Sequence, residues 1–192
     1  MWSRTRSETG VAGVQREVTT EIVRRLVISV RQGLVTSPVV YRALIGHGVP
    51  IDATGGTSIG SLIAGGVAPG QSPEEIARQR RDAVFEQSPF DVTLPAVSLA
   101  SGRRVTQRIK AGADGLDLED GWRRVFAVST NLTTGRAEIH RTGPGWQAIR
   151  ANFSIPGVFP PVRTAADELL VDGGLLDNLP VGVMRASTRG SP

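Results

Sequence analysis

The stretch TGGTSIGSLIAGG, residues 54–66, restricts the chain most, because it sets a serine between two glycines. Ser58 follows an apolar, strand-like segment, and the small residues after it predict a closely packed helix. Where a strand turns sharply into a helix, Gly56 and Gly60 remove Cβ atoms that would collide across the turn. The frame predicts a nucleophile elbow, with the Ile59 N–H directed at a developing oxyanion. An ordinary glycine-rich turn is the alternative, since short motifs also occur by chance.

A serine nucleophile needs a base, and the chain has two histidines. His140 is expected on an exposed edge strand and His47 near a helix end, both as surface residues. Asp172, in LLVDGGLLDN, ends an apolar strand, and the carboxyl ends of parallel strands meet at one edge of a sheet. Partial burial would raise its pKa toward that of a useful base, and Gly173 and Gly174 would permit a tight turn. An Asp that only starts a turn or caps a helix is the alternative, as is a triad that uses His140.

The composition excludes several kinds of site. With no cysteine, the chain has no disulfide, no Cys-ligated zinc or iron–sulfur cluster and no thiol nucleophile, which is compatible with the cytoplasm. No apolar run reaches the roughly 18 residues of a membrane span. The net charge of +4 is carried almost wholly by arginine, grouped at Arg78, Arg80, Arg81 and at Arg103, Arg104, Arg108.

These arginine groups are expected to form solvated helix faces, with attraction to an anionic lipid surface as the functional alternative. Nucleic-acid binding is not expected, because no aromatic residues interleave with the basic groups. Along the chain, predicted strands such as 24–30 and 123–132 alternate with predicted helices, and residues 1–22 are expected to be a polar tail or an irregular segment. A helix is predicted from a Ser37 cap with Pro38 at its first position, and another from a capping box of Ser72 and Glu75. The pattern indicates an α/β domain with a mostly parallel sheet.

Five collinear stretches resemble patatin-like phospholipases, in particular their bacterial and neuropathy-target-esterase-like branch. They cover about residues 39–185 and read GVPIDATGGTSIGSLIAGG, VSLASGRRVTQRI, FAVSTNLTTGRAEI, SIPGVFPPV and LLVDGGLLDNLPV. The resemblance implies a three-layer hydrolase core with a mostly parallel central sheet over residues 23–192. It also implies a Ser58–Asp172 dyad that cleaves phospholipid or lysophospholipid esters through an acyl-enzyme, in lipid degradation. The resemblance further implies an acyl lipid as partner and peripheral contact with a membrane. It implies no metal and no organic cofactor.

Two parts of the chain depart from the family pattern. The family carries a glycine-rich oxyanion loop after its first strand, whereas residues 29–34 read SVRQGL. Gly33 is therefore the candidate for a second oxyanion donor beside Ile59. The carboxyl end is short, so an incomplete domain is expected. A catalytically impaired, lipid-binding relative is the alternative function, and Phe153 and Phe159 are expected either to shape an acyl site or to pack against the core.

Overall fold

The computed structural model describes residues 25–28, 33–84, 98–113 and 115–187, with backbone only for 25–28, 33–38 and 80–84. The predicted polar tail and residues 29–32 of the loop lie outside these ranges. The strands are β1 (Arg25–Ile28), β2 (Ala53–Thr57), β3 (Arg124–Asn131), β4 (Arg136–His140), β5 (Val162–Arg163) and β6 (Leu169–Asp172). The helices are α1 (Gly33–Gly46), α2 (Ile59–Val67), α3 (Pro73–Val84), α4 (Arg103–Ala113), α5 (Gly145–Asn152) and α6 (Val181–Ala186).

Strand β3 is the centre of one open, mixed sheet. β1, β2 and β3 are parallel, whereas β4 and β6 both run antiparallel to β3, and β5 pairs with β6. β4 pairs with residues 127–131 of β3, which overlap the residues paired with β2 and also those paired with β6. Because a strand has two edges, β2 and β6 share the edge opposite β4 and follow one another along it.

Helices cover both faces of this sheet. One face of β3, with Val125 and Ala127, packs against α2 and α5. The opposite face, with Phe126 and Val128, packs against Met184 of α6. This alternation follows from the two-residue period of a strand that is buried on both sides. The predicted α/β class and its three layers are confirmed.

The predicted helix starts are right in one case and wrong in another. The capping box before α3 is present, since the Ser72 N–H donates to Glu75 Oε2 at 2.7 Å and the Glu75 N–H to Ser72 Oγ at 3.2 Å. Helix α1, however, begins at Gly33, so that Pro38 lies in its second turn. A proline there removes one backbone hydrogen bond. Burial of Tyr41 in the core, one turn further on, offsets that loss.

The arginine groups lie on α3 and α4. Arg78, Arg103 and Arg104 are exposed, as expected of a solvated face, whereas Arg108 is half-buried. The side chains of Arg80 and Arg81 are outside the described part of the chain, and attraction to anionic lipid stays a prediction. Within the described ranges, every helix is too short or too polar to cross a bilayer.

Candidate active site

Ser58 forms the whole connection between β2, which ends at Thr57, and α2, which begins at Ile59. Its backbone has φ 55° and ψ −128°, a conformation that residues with a Cβ rarely adopt. The side chain is only 6% exposed. The predicted strand–serine–helix arrangement is therefore present, and the strained backbone is of the kind found at functional sites.

The Ser58 hydroxyl lies beside the Asp172 carboxyl, close enough to lower the pKa of that group. This proximity follows from the way β2 and β6 share one edge of β3: Thr57 is opposite Val128, and Asp172 is opposite the next residue, Ser129. We expected the two residues to meet as the carboxyl ends of parallel strands. That reason is wrong, because β6 is antiparallel to β3, and the carboxyl ends of β2 and β6 instead meet end to end.

Asp172 is a buried residue, only 8% exposed. Burial raises its pKa above the ordinary value, while hydrogen bonds from the Ser58 hydroxyl and the Gly174 N–H act in the opposite direction. The Gly174 N–H donates to Asp172 Oδ1 at 2.7 Å and thereby caps a 3₁₀ turn over Gly173–Leu175. The carboxylate therefore caps a turn, which is the alternative role that the sequence left open, and it also lies beside the serine.

Gly173 lets the chain after Asp172 pass directly against the sheet. A Cβ at this position would overlap the Val128 carbonyl group and lie 3.0 Å from Thr57 Cγ2. The Thr57 hydroxyl donates to the Asp177 carbonyl oxygen at 2.8 Å, which ties the same loop to the end of β2. The other motif glycines are Gly56 in β2, Gly60 in the first turn of α2 and Gly174 in the 3₁₀ turn.

The two residues predicted as oxyanion donors both begin helices. Ile59 is the first residue of α2, where backbone N–H groups have no partner within the helix. Gly33 is the first residue of α1, and β1 ends opposite Gly56, close to the elbow. The donor roles of Ile59 and Gly33 stay predictions. Residues 29–32, which precede Gly33 in the loop, lie outside the described ranges.

Asn152 is a site residue that the sequence reasoning missed. Its Oδ1 accepts the Ser58 backbone N–H at 2.8 Å, and its side chain is fully buried at the last position of α5. The two residues are 94 positions apart. No motif or periodicity links them, so no sequence signal pointed to this contact.

An apolar cavity of about 340 Å³ lies among helices α2 to α5. Ile59, Phe153 and Phe159 line it, so the cavity reaches the residue next to the serine, although Ser58 and Asp172 themselves are not in its wall. Both phenylalanines also pack in a cluster with Val105 and Ile149. The two expectations for these rings, core packing and shaping an apolar site, therefore both fit the structure.

Each histidine has a hydrogen-bond partner other than Ser58. His47 is exposed, as expected, and its Nδ1 is 2.8 Å from the Ala43 carbonyl oxygen. His140 is not the fully exposed residue that we expected: it is half-buried at the end of β4, and its Nε2 is 2.7 Å from Ser129 Oγ. Burial lowers the pKa of His140, which favours a neutral ring.

Replacement of His140 tests whether the serine works with Asp172 alone, as a dyad, or in a triad that includes His140. Gln places a polar atom near Nε2, so His140→Gln can keep the contact with Ser129 while it removes any proton-accepting ring. We expect p-nitrophenyl butyrate hydrolysis within about threefold of wild type, with the same loss of activity on acidification. A loss of about 100-fold or more in a folded variant would instead assign His140 as the base.

Residues 33–185 match the family described as "Patatin-like phospholipase". A protein named lysophospholipase NTE1 from Meyerozyma guilliermondii is 39% identical over 148 residues, which are 74% of this chain and 10% of that protein. An uncharacterised NTE family protein of Mycobacterium bovis is 40% identical over 152 residues, 79% of this chain and 26% of the relative. The chain thus spans a small part of the relatives that it matches.

The fold has a counterpart among solved structures. VipD from Legionella pneumophila superposes with a TM-score of 0.56 at 16% identity, over 80% of this chain and 46% of VipD. At that identity the likeness concerns the fold alone. The family match over most of the chain, with relatives near 40% identity, shows that the chain belongs to the patatin-like phospholipase family.

Proposed function

We propose that this chain is a serine hydrolase of acyl lipid esters, with Ser58 as nucleophile and Asp172 as base. The observation that carries the proposal is a strained elbow serine whose hydroxyl lies beside the buried Asp172 carboxyl. Membership of the patatin-like phospholipase family supports the same chemistry. The raised pKa of Asp172 makes its carboxylate a stronger proton acceptor than an exposed one.

In the acylation step, Ser58 Oγ attacks the ester carbonyl carbon while its proton passes to the Asp172 carboxylate. The carbonyl electron pair moves to the oxygen, and the Ile59 N–H at the start of α2 stabilises the resulting oxyanion. When the intermediate collapses, the bond to the alcohol breaks and Asp172 returns the proton to the departing oxygen. The products are an acyl-enzyme on Ser58 and a free alcohol, for example a glycerophosphodiester.

In the deacylation step, water takes the place of the alcohol. Asp172 accepts a proton from the water as its oxygen attacks the acyl carbon, and the same N–H stabilises the second oxyanion. The bond to Ser58 Oγ then breaks, the serine regains a proton from Asp172, and a fatty acid leaves. The base returns to its starting state, so one carboxylate serves both half-reactions.

The apolar cavity supports a substrate with a long acyl chain. It begins at Ile59, and Phe153 and Phe159 form part of its wall. Each methylene buried there contributes about 0.8 kcal/mol, so chain length should affect binding strongly. Phospholipids and lysophospholipids supply such a chain together with an ester, and relatives bear the name lysophospholipase.

Peripheral contact with a lipid surface belongs to the same proposal. Leu175 and Leu176, just after Asp172, are 57% and 54% exposed, and Ile155 beside Ser154 is exposed as well. The Asp172 N–H donates to the Ser154 carbonyl oxygen at 3.1 Å, which brings these apolar side chains near the base. This contact can be tested by cosedimentation with phosphatidylcholine vesicles. The comparison is between wild type and a Leu175→Ser, Leu176→Ser variant.

Lipid binding with little or no turnover is the second candidate. The apolar cavity could hold an acyl chain without any chemistry, and the family's glycine-rich oxyanion loop is replaced here by SVRQGL at residues 29–34. Loss of one oxyanion donor typically lowers the rate by roughly 10²- to 10³-fold. Multiple turnovers of an ester at rates far above its spontaneous hydrolysis would exclude this candidate.

The test of the proposal is covalent labelling of the native chain. A fluorophosphonate probe is expected to form a phosphonyl–serine bond at Ser58 with loss of fluoride, and peptide mass spectrometry identifies the modified residue. In parallel, p-nitrophenyl esters of short, medium and long acyl chains should be hydrolysed, the longer ones with lower KM. A folded protein that acquires no adduct at Ser58 would refute the proposal.

A further inference from the structure

The backbone of Ser58 is held in a conformation that it would not adopt alone. A residue with a Cβ at φ 55° and ψ −128° is outside the regions that ordinary side chains favour. Such conformations persist only where surrounding contacts over-determine them. We therefore expect the residues that hydrogen-bond to the Ser58 backbone to keep the nucleophile in position.

Both backbone polar groups of Ser58 are hydrogen-bonded. Its carbonyl oxygen accepts two bonds from Ser61, one from the backbone N–H at 2.9 Å and one from the hydroxyl at 2.6 Å. Its N–H donates to Asn152 Oδ1 at 2.8 Å. The bond on the carbonyl side is local and partly built into α2, whereas the bond on the N–H side depends on one distant side chain.

The Asn152 amide has one orientation that satisfies its surroundings. Its Nδ2 donates to the Ala148 carbonyl oxygen at 3.0 Å, one turn earlier in α5, which leaves Oδ1 for the Ser58 N–H. The amide is fully buried, so solvent does not compete for these bonds. The same end of α5 is anchored by the buried Arg150, whose Nε donates to Thr106 Oγ1 at 2.9 Å and whose guanidinium donates to Ser154 Oγ at 2.6 Å.

We propose that Asn152 is a positioning residue that holds the nucleophile elbow by accepting the Ser58 backbone N–H. This inference rests on the proposed role of Ser58. It has a consequence for the oxyanion: because the Ser58 N–H is bound to Asn152, the N–H of Ile59 is the elbow donor that remains to face the substrate. Without the Asn152 oxygen, the serine can relax from the conformation that aims its hydroxyl at the ester.

The test compares Asn152→Leu with wild type. Leucine has a similar size but no acceptor, so the Ser58 N–H is left without its partner. The second-order rate of fluorophosphonate labelling and kcat for p-nitrophenyl butyrate are expected to fall about 10- to 100-fold, as small misplacements of reacting groups do. KM is expected to stay within about threefold, because the acyl cavity does not involve Asn152.

Asn131→Leu is the matched control. Asn131 is equally buried, and its Oδ1 accepts backbone N–H groups of Thr133 and Thr134 at 3.0 and 3.1 Å, in the turn after β3. We expect this variant to unfold at a lower temperature without a slower labelling rate.

Asn152→Asp is the rescue variant, because its carboxylate keeps an oxygen for the Ser58 N–H. Its labelling rate should be at least about tenfold higher than that of Asn152→Leu.

Three results would overturn the inference. They are labelling of folded Asn152→Leu at the wild-type rate, an equal slowing in Asn131→Leu, and no recovery in folded Asn152→Asp. If Asn152→Leu does not fold, Asn152→Ala replaces it, and failure of all Asn152 variants to fold would show a folding role instead. The proposed function fails separately, when wild type itself is not labelled at Ser58.

Discussion

Ser58→Ala is expected to lower ester hydrolysis by roughly 10⁴-fold or more and to abolish fluorophosphonate labelling. The variant removes the atom that forms the acyl bond. The fold should remain, because the backbone bonds of this residue to Asn152 and Ser61 do not involve its side chain. Steady-state hydrolysis of p-nitrophenyl butyrate and a thermal melt of the same sample measure both effects.

Ser61→Ala is the control for this experiment. Its hydroxyl also lies in the motif and donates to the Ser58 carbonyl oxygen, but the Ser61 backbone N–H donates to that oxygen as well. Hydrolysis is therefore expected to stay within about tenfold of wild type, because one of the two bonds survives. Unchanged hydrolysis in folded Ser58→Ala would reject the nucleophile, and a loss in Ser61→Ala as large as in Ser58→Ala would point to distortion of the elbow.

The elbow could be predicted from the sequence because its determinants are local. The apolar residues before Ser58, the flanking glycines and the small residues of α2 act within a few positions of one another. The capping box at Ser72 and Glu75 is local in the same sense. The predicted start of α1 is wrong. A proline after a serine is typical of a first helical position, but the helix extends back to Gly33 and contains Pro38 in its second turn.

The partnership of Ser58 with Asp172 was expected from the residues, but the topology behind it was not. A strand end with D-G-G does not reveal whether the strand runs parallel or antiparallel to its neighbour. That depends on pairing with residues 129–131 of β3, which are distant in sequence. The contact of Asn152 with the Ser58 N–H is non-local in the same way, and only the packing of α5 against α2 brings the two together.

Asp172→Asn is expected to lower ester hydrolysis by about 10²- to 10⁴-fold, the range that a general base contributes. An amide can still accept the Gly174 N–H and hydrogen-bond the Ser58 hydroxyl, but it cannot take up the serine proton. We also expect this variant to be more stable than wild type at neutral pH. The apparent Tm of Asp172→Asn should therefore be higher than that of wild type at neutral pH. Retained hydrolysis in Asp172→Asn would reject the base.

The sign of the stability effect follows from the direction of the pKa shift. Burial raises the pKa of Asp172 in the folded chain above the ordinary value of 3.8, so the native state binds this proton more tightly than the unfolded state does. Wild-type stability therefore falls as the pH rises from the unfolded pKa through the folded one, and Asn removes that loss. The Tm advantage of Asp172→Asn should shrink as the pH is lowered through the same window, in which wild-type activity also disappears because a protonated carboxyl cannot accept the serine proton. A lower Tm for Asp172→Asn at neutral pH would show that the carboxylate stabilises the fold, contrary to this expectation.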